Sequence, residues 1–386
     1  MTLRLPRSIV EDPKTRKVLG TFLDAGYQAL FVGGTVRNAL LGVPVTDVDI
    51  ATDARPEQTI QLAEAAGLRA VPTGIAHGTV TLVIEGDPFE VTTFRRDLRT
   101  DGRHAEVAFS QDVAEDAARR DFTMNALYAD SEGAVVDPLS GLQDLLARRV
   151  RFVGTAENRI REDYLRILRF FRFTAWYGDP AEGVDAEGLA ACAALAGGMS
   201  RLSVERVWAE LRKTLAAPDP GLVVGSMAQA GILAQCLPGT QVDALPQLLH
   251  AEAEMGLAAD PLRRLVALGG DAPEAKLRLS RAETREVQTL RAHVGSADPP
   301  LALGFKLGVS AAHDVVALRF ALLQSPFSEQ MLRDIRRGAD AIFPVQAVDL
   351  PDTLTGPQIG QALTRLRAEW LAKDCRPTKA ELLGRL

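Results

Sequence analysis

Asp47 and Asp49 stand two residues apart in the run Val45-Thr46-Asp47-Val48-Asp49-Ile50. In an extended strand, residues i and i+2 leave the same face, so the two carboxylates would lie side by side. Neighbouring carboxylates repel, and each raises the other's pKa unless a cation sits between them. A hard divalent ion such as Mg²⁺, which takes oxygen ligands, is the natural neutraliser. Just upstream, Phe31-Val32-Gly33-Gly34 reads as a strand that ends in a glycine turn and opens a helix. The first amides of such a helix have no partners and favour an anion. Arg37 falls one turn into that helix, within reach of a phosphate. Taken singly, Asp-x-Asp is also a solvated strand face and Gly-Gly an ordinary turn. Together they point to phosphate-plus-metal chemistry. Glu90 is the odd member of a strand-favouring run, Phe89-Glu90-Val91-Thr92-Thr93-Phe94. It suits either the third acidic ligand of a two-metal site or the exposed side of an edge strand.

Two arginine-rich segments follow. Arg119-Arg120-Asp121-Phe122-Thr123-Met124-Asn125-Ala126 reads locally as a charged start to a helix. Residues 161–173 read as one amphipathic helix. Tyr164, Ile167, Leu168, Phe171 and Ala175 form its apolar stripe. Arg166 and Arg169 lie opposite, and Arg172 lies at the flank. Asp163 and Arg166, at i and i+3, are close enough to pair. A structural helix often has such a face. Yet a carboxylate that accepts from an exocyclic amine, beside a guanidinium that donates to the neighbouring ring nitrogen or carbonyl, suits cytosine and adenine and mismatches uracil and guanine.

The elements that would position these residues occupy the first part of the chain. A helix is expected over 14–25, strands over 29–32 and 48–51, and a helix over 55–66. Strands over 79–84 and 89–94 are joined by the turn Glu85-Gly86-Asp87-Pro88. The charged stretch 95–104 reads as a mobile loop. Beyond Val153 the strand signals fade. Ser203 is placed to cap a helix whose Val204, Val207, Trp208, Leu211 and Leu215 share a face, and Pro218 and Pro220 mark a boundary. The chain has 386 residues, 47% hydrophobic and 24% charged, ordinary values for a folded protein. The expected fold is α+β: a head over 1–153 with a mixed sheet and helices, a helical neck over 154–217, and a helical body and tail over 218–386. Cys192, Cys236 and Cys375 lack metal or disulfide spacing, which fits a reducing cytoplasm. Met1–Arg16 lacks an apolar leader core, and no stretch reads as an uncharged membrane span, so no membrane association is expected. A net charge of −6 argues against indiscriminate binding to nucleic acid while leaving room for a local basic groove.

Several segments, in order, resemble the class II tRNA CCA-adding nucleotidyltransferases and bacterial poly(A) polymerases of the DNA polymerase β superfamily. They are Gly-Gly-x-x-Arg with Asp-x-Asp, Glu-Val-Thr-Thr-Phe-Arg, Asp-Gly-Arg-His, Arg-Arg-Asp-Phe-Thr-x-Asn-Ala and Glu-Asp-x-x-Arg-x-x-Arg, followed by Leu202-Ser203-x-Glu205-Arg206. The resemblance is strong over about residues 30–215. It is weaker at Gly356-Pro357-Gln358-Ile359-Gly360 with Leu363 and Trp370. It implies a polymerase-β-like head that adds CCA from CTP and ATP to the 3′ acceptor end of tRNA on two Mg²⁺ ions. Asp47 and Asp49 would be the metal ligands and Glu90 the third acidic residue. Gly33, Gly34 and Arg37 would bind the triphosphate, and Arg120 would contact the nucleotide. Asp163 and Arg166 would read the base, with Arg169 and Arg172 as further contacts. The charged stretch after Phe94 would take part in switching from C to A addition. Asn38 departs from the family's usual Asp after the motif arginine, which leaves the local hydrogen bonding open. No His-Asp phosphohydrolase signature is visible, and no obligate protein partner is evident. Poly(A) polymerase activity, or A-only or CC-only addition, is the alternative expectation.

Overall fold

The structure, a computed structural model, describes residues 3–101 and 104–386. The chain divides into two compact units, Met1–Pro238 and Gly239–Leu386.

The first unit is built on a seven-stranded sheet. Its strands are β1 (Ala29–Val32), β2 (Val48–Thr52), β3 (Arg69–Gly74), β4 (Thr79–Ile84), β5 (Asp87–Thr93), β8 (Tyr128–Ala129) and β9 (Val135–Val136), in the order β3-β4-β5-β2-β1-β8-β9. β2 and β5 run parallel; the other neighbours are antiparallel. Alternation along β2 and β5 buries Ile50, Phe89 and Val91 on one face and leaves Asp49 and Glu90 on the other. Helices Pro13–Leu23 and Pro56–Ala65 pack against each other and against the sheet. Asp12 caps the first by accepting from the Thr15 amide.

Several boundaries differ from the sequence reading. The β4–β5 turn has two residues, not four: Glu85 and Gly86 both have positive φ, at 50° and 94°, while Asp87 and Pro88 already pair with Ile84 and Val83. That is the backbone twist a two-residue hairpin requires. The stretch expected to be a mobile loop is, in its described part, strand β6 (Arg95–Asp101) paired antiparallel with β7 (His104–Phe109). Gly102 and Arg103 lie outside the described residues. β3, β8 and β9 had no clear signature in the sequence because they are short or mostly solvent-facing.

The expected helix over 161–173 is two helices, Ala156–Glu162 and Leu165–Tyr177, broken at Asp163, whose backbone is extended at φ −153° and ψ 108°. Leu165, Phe170 and Phe173 are buried as well as the expected Ile167, Leu168 and Phe171, because the second helix is covered on more than one side. Helix Val204–Leu215 forms as expected, with the Ser203 hydroxyl accepting from the Arg206 amide.

The second unit is helical. Helices Pro300–Leu323 and Glu329–Ala339 approach closely through two glycines. A Cβ at Gly304 would lie 2.0 Å from the Ile335 carbonyl oxygen, and one at Gly338 would lie 2.0 Å from that of Leu301. Pro300–Leu323, kinked at Gly308 where φ is 76° and ψ 177°, is long and apolar enough by length and composition to cross a membrane, but it carries Lys306, Asp314 and Arg319 and so is not the uncharged span that the sequence reading excluded. Half of its most apolar window is buried within the protein, and its charged residues are engaged. Asp314 pairs with Arg263 at 2.5 Å, and Arg319 donates to the carbonyls of His293, Val294, Ser296 and Asp298.

Candidate active site

The parallel register of β2 and β5 sets Asp49 directly opposite Glu90, so these side chains share one face of the sheet. Glu90 is therefore on an interior strand, not an edge. Asp47 lies just before β2 and is exposed. The buried Thr35 ties this segment to the helix Gly34–Leu41: its hydroxyl accepts from the Asp49 amide at 2.8 Å and donates to the Asp47 carbonyl at 3.3 Å. Burial pushes the Asp49 carboxyl up to about 6, with further push from Glu90 and Asp47 against the pull of Arg120 and Arg37. Among the described residues, no three His, Cys, Asp or Glu groups already enclose a metal-sized point. The chemistry of this donor set still fits a hard divalent cation: hard oxygen donors, crowded on one face, whose mutual repulsion a cation would relieve.

Gly33 precedes the Gly34–Leu41 helix at φ 59° and ψ −115°, a conformation natural only to glycine. Its amide donates to the Leu127 carbonyl at 3.1 Å and so is not available to a phosphate as the sequence suggested. The first intrahelical bond is Arg37 N–H to Gly33 carbonyl. The amides of Gly34, Thr35 and Val36 therefore form the unbonded first turn that favours an anion. A Cβ at Gly34 would lie 3.8 Å from Asp49 Oδ2, which puts this turn against the carboxylates. Arg37 falls one turn into this helix, as expected, but its side chain is buried. It is 7% exposed, and its guanidinium donates to Asn38 Oδ1, Asn125 Oδ1 and the Tyr177 hydroxyl. Asn38 accepts twice here through its neutral amide, without the charge an Asp would bring.

Arg120 lies behind the turn, its Nη1 3.1 Å from the Cβ position of Gly33. It pairs with the buried Asp116 at 2.9 Å and donates to the Tyr128 hydroxyl at 3.0 Å. Arg119 takes the other oxygen of Asp116. Asp121, also buried, pairs with Arg169 and accepts from Asn125 at 2.9 Å. Asn125 thus links Arg37 to the Asp121–Arg169 pair across the first unit.

Comparison with known proteins bears directly on this arrangement. Residues 29–151 match the family described as Poly A polymerase head domain, and residues 184–243 match that described as probable RNA and SrmB-binding site of polymerase A. The chain is 33% identical over 380 residues to CCA tRNA nucleotidyltransferase 1, mitochondrial, of Mus musculus, covering 94% of this chain and 87% of that protein. The chain belongs to the CCA tRNA nucleotidyltransferase family. A Streptococcus pyogenes CCA-adding enzyme is 44% identical over 210 residues, 54% of this chain and 50% of that protein. The solved Bacillus stearothermophilus CCA-adding enzyme in complex with CTP superposes with a TM-score of 0.70 at 26% identity, covering 94% of each chain. The Thermotoga maritima CCA-adding enzyme complexed with tRNA shares the fold, with a TM-score of 0.71 at 20% identity over 99% of this chain and 98% of that one.

For a CCA tRNA nucleotidyltransferase family member, the expected base-reading pair is arranged differently from the sequence reading. Asp163 and Arg166 do not pair through their side chains. Asp163 Oδ2 accepts from Arg206 Nη2 at 2.6 Å, and its Oδ1 accepts from the Leu165 amide. Arg166 pairs with Glu162, one helical turn earlier, and donates to the Arg159 and Arg119 carbonyls. The cause is the break at Asp163, which removes the helical spacing on which an i, i+3 pair depends. Arg172 faces Glu210 at 2.9 Å. Sequence reasoning passed over Thr35, Asp116, Asp121, Asn125, Glu162, Arg206 and Glu210 as site-shaping residues. Asp121, Asn125, Glu162 and Arg206 lie inside the quoted motifs, so a search for polar partners within each motif is the signal that would have found them.

Proposed function

We propose that this enzyme adds CCA to the 3′ end of tRNA from CTP and ATP, releasing pyrophosphate at each step. The observation that carries the reading is the register of Asp49 with Glu90, beside Asp47 and the Gly34 turn, in a chain related over nearly its whole length to CCA tRNA nucleotidyltransferases.

The tRNA 3′-hydroxyl oxygen attacks the α-phosphorus, a new P–O bond forms, and the bond to the bridging oxygen breaks as pyrophosphate leaves. Asp47, Asp49 and Glu90 would hold Mg²⁺, which when bound would lower the pKa of the attacking hydroxyl and neutralise the departing pyrophosphate. The first-turn amides of Gly34, Thr35 and Val36 and the guanidinium of Arg120 would bind the triphosphate. Arg37 would act on it through its buried charge from below the turn. Asp163 retains lone pairs beyond those given to Arg206 and Leu165 and would accept from the exocyclic amine of cytosine or adenine, with Arg166 donating to the ring. Arg169 and Arg172 would flank that base. The cytoplasm is the proposed compartment. The second unit would grip tRNA by shape and phosphates rather than by sequence.

The test uses tRNA ending before, within and after CCA, supplied with CTP, ATP or both. The expected products are CC with CTP alone, A on a CC end with ATP alone, and a stop after CCA. A long tail with ATP alone would replace this reading by poly(A) polymerase, a possibility the head-domain match keeps in view. Partial products on every substrate would replace it by CC-only or A-only addition. Asp49→Asn is expected to abolish incorporation; activity retained in that variant would overturn the metal assignment.

A further inference from the structure

Three guanidinium groups converge on one aromatic ring. Arg37, Arg169 and Arg172 lie 5.1, 5.3 and 4.8 Å from the centroid of Phe173. Tyr177, one helical turn further on, lies 4.1 Å from the Arg37 guanidinium and accepts from its Nη2 at 2.9 Å. The Phe173 and Tyr177 rings are themselves 5.5 Å apart. Phe173 is 6% exposed, and a cation over an aromatic face contributes most when water is excluded.

Two of these arginines have anions of their own: Arg169 has Asp121, and Arg172 has Glu210. The hydrogen-bond partners of Arg37 are neutral: two asparagines and a phenol. Burial accordingly lowers its pKa. A buried cation held by neutral groups and two ring faces is fixed in position without an ion pair that would cancel its charge. That position matters. Arg37 Nη2 and Asp49 Oδ2 lie 3.7 and 3.8 Å from the same point, the Cβ position of Gly34. The helix Leu165–Tyr177 thus carries Arg166, Arg169 and Arg172 along its length, and with its last turns grips the side chain beneath the nucleotide turn.

We propose that Phe173 and Tyr177 are positioning residues that couple the choice of base on the Leu165–Tyr177 helix to the alignment of the triphosphate turn at Gly34. The inference rests on the proposed function for its substrate. A base that satisfies Asp163 and Arg166 holds the helix in place, and the two rings then hold Arg37, Gly34 and Asp49 in register. A base that does not satisfy them shifts the helix, and the same contacts carry the shift to the reacting phosphate.

The test compares Tyr177→Phe, which keeps the ring, with Tyr177→Leu and Phe173→Leu, which lose it. Each variant is assayed on tRNA lacking its terminus with CTP, ATP, UTP or GTP. The leucine variants are expected to raise KM for CTP and ATP about tenfold and to increase the UMP and GMP share of incorporation. Tyr177→Phe is expected to fall between them and wild type. A lowered Tm with unchanged KM and an unchanged UMP and GMP share would mean the rings only support packing, and would overturn the proposal. Deuterium exchange at the amides of residues 34–41 is read in parallel, including in Tyr177→Phe should the leucine variants fail to fold. Exchange is read with and without CTP: protection of these amides by CTP in wild type that is lost in the variants supports the coupling, and equal protection in both overturns it. Failure of wild type to incorporate CMP and AMP would overturn the functional reading instead, and CTP-dependent protection of residues 34–41 would still decide the coupling.

Discussion

Asp116 and Asp49 are carboxylates of the same unit driven in opposite directions. Asp49 is partly buried and crowded by Glu90 and Asp47, and its pKa rises. At Asp116, burial pushes the pKa up, but Arg120, Arg119 and the Tyr128 hydroxyl outweigh it and hold the carboxyl at about 2, from 3.8. Between these values the folded state binds fewer protons than the unfolded state. Asp116 therefore stabilises the fold above about pH 4, and that contribution is lost as pH falls through about 2. The full span amounts to roughly 2 kcal/mol. Asp116→Asn is expected to lower Tm at pH 7 and to flatten the acid limb of the stability profile, as followed by circular dichroism from pH 2 to 5. It strands Arg119 and Arg120 without their shared anion, at a cost of about 3–5 kcal/mol for a buried pair broken on one side. An unaltered acid limb would show that Asp116 does not carry this charge balance. At this scale the motif letters were legible in the sequence, but their partners were not. Asp163 was matched with Arg166 by spacing and is in fact held by Arg206, more than forty positions away.

Elements come together here through what their backbones allow. Parallel pairing of β2 with β5 turns two distant carboxylates into neighbours, and the glycine at 33 lets the chain turn directly into the helix behind them. In the second unit, Gly304 and Gly338 let two helices approach until a side chain on either would strike a carbonyl. Gly304→Val would place a Cβ 2.0 Å from the Ile335 carbonyl oxygen, so helices Pro300–Leu323 and Glu329–Ala339 would have to separate. The expected cost is about 3 kcal/mol or more, seen as a lower Tm and faster proteolysis around residues 323–340. A variant as stable and protease-resistant as wild type would show that these helices do not need the close approach. Periodicity predicted the helix capped by Ser203 well because its buried face follows a single stripe. It merged the Ala156–Glu162 and Leu165–Tyr177 helices because Asp163 breaks them without a proline or glycine to mark the place.

At the scale of the whole molecule, each unit buries charge in its own way. In the first, arginines around the site pair with aspartates and, at Arg166 and Arg172, with glutamates. In the second, Glu252, Arg263 and Arg264 are 4%, 3% and 2% exposed. Glu252 pairs with both arginines, and Arg263 pairs also with Asp314. Glu252→Gln would leave two buried guanidinium groups sharing fewer anions, at about 3–5 kcal/mol. Calorimetry is expected to show a lower melting transition for residues 239–386, while CTP still stabilises the first unit. Unchanged melting of the second unit would mean that water or Asp314 takes over the charge.

The sequence by itself determined the α+β class and the family, and it singled out the candidate residues of the head. These rest on local patterns: a carboxylate pair at strand spacing, a glycine turn, and motifs whose order needs no folding to be read. Only the tertiary structure decided who partners whom. It set Asp49 against Glu90, buried Arg37 among Asn38, Asn125 and Tyr177, separated Asp163 from Arg166, and gathered three arginines around Phe173. Ion pairs, hydrogen bonds and ring contacts depend on distances of a few ångströms between residues far apart in the chain, and a one-dimensional pattern does not carry that information.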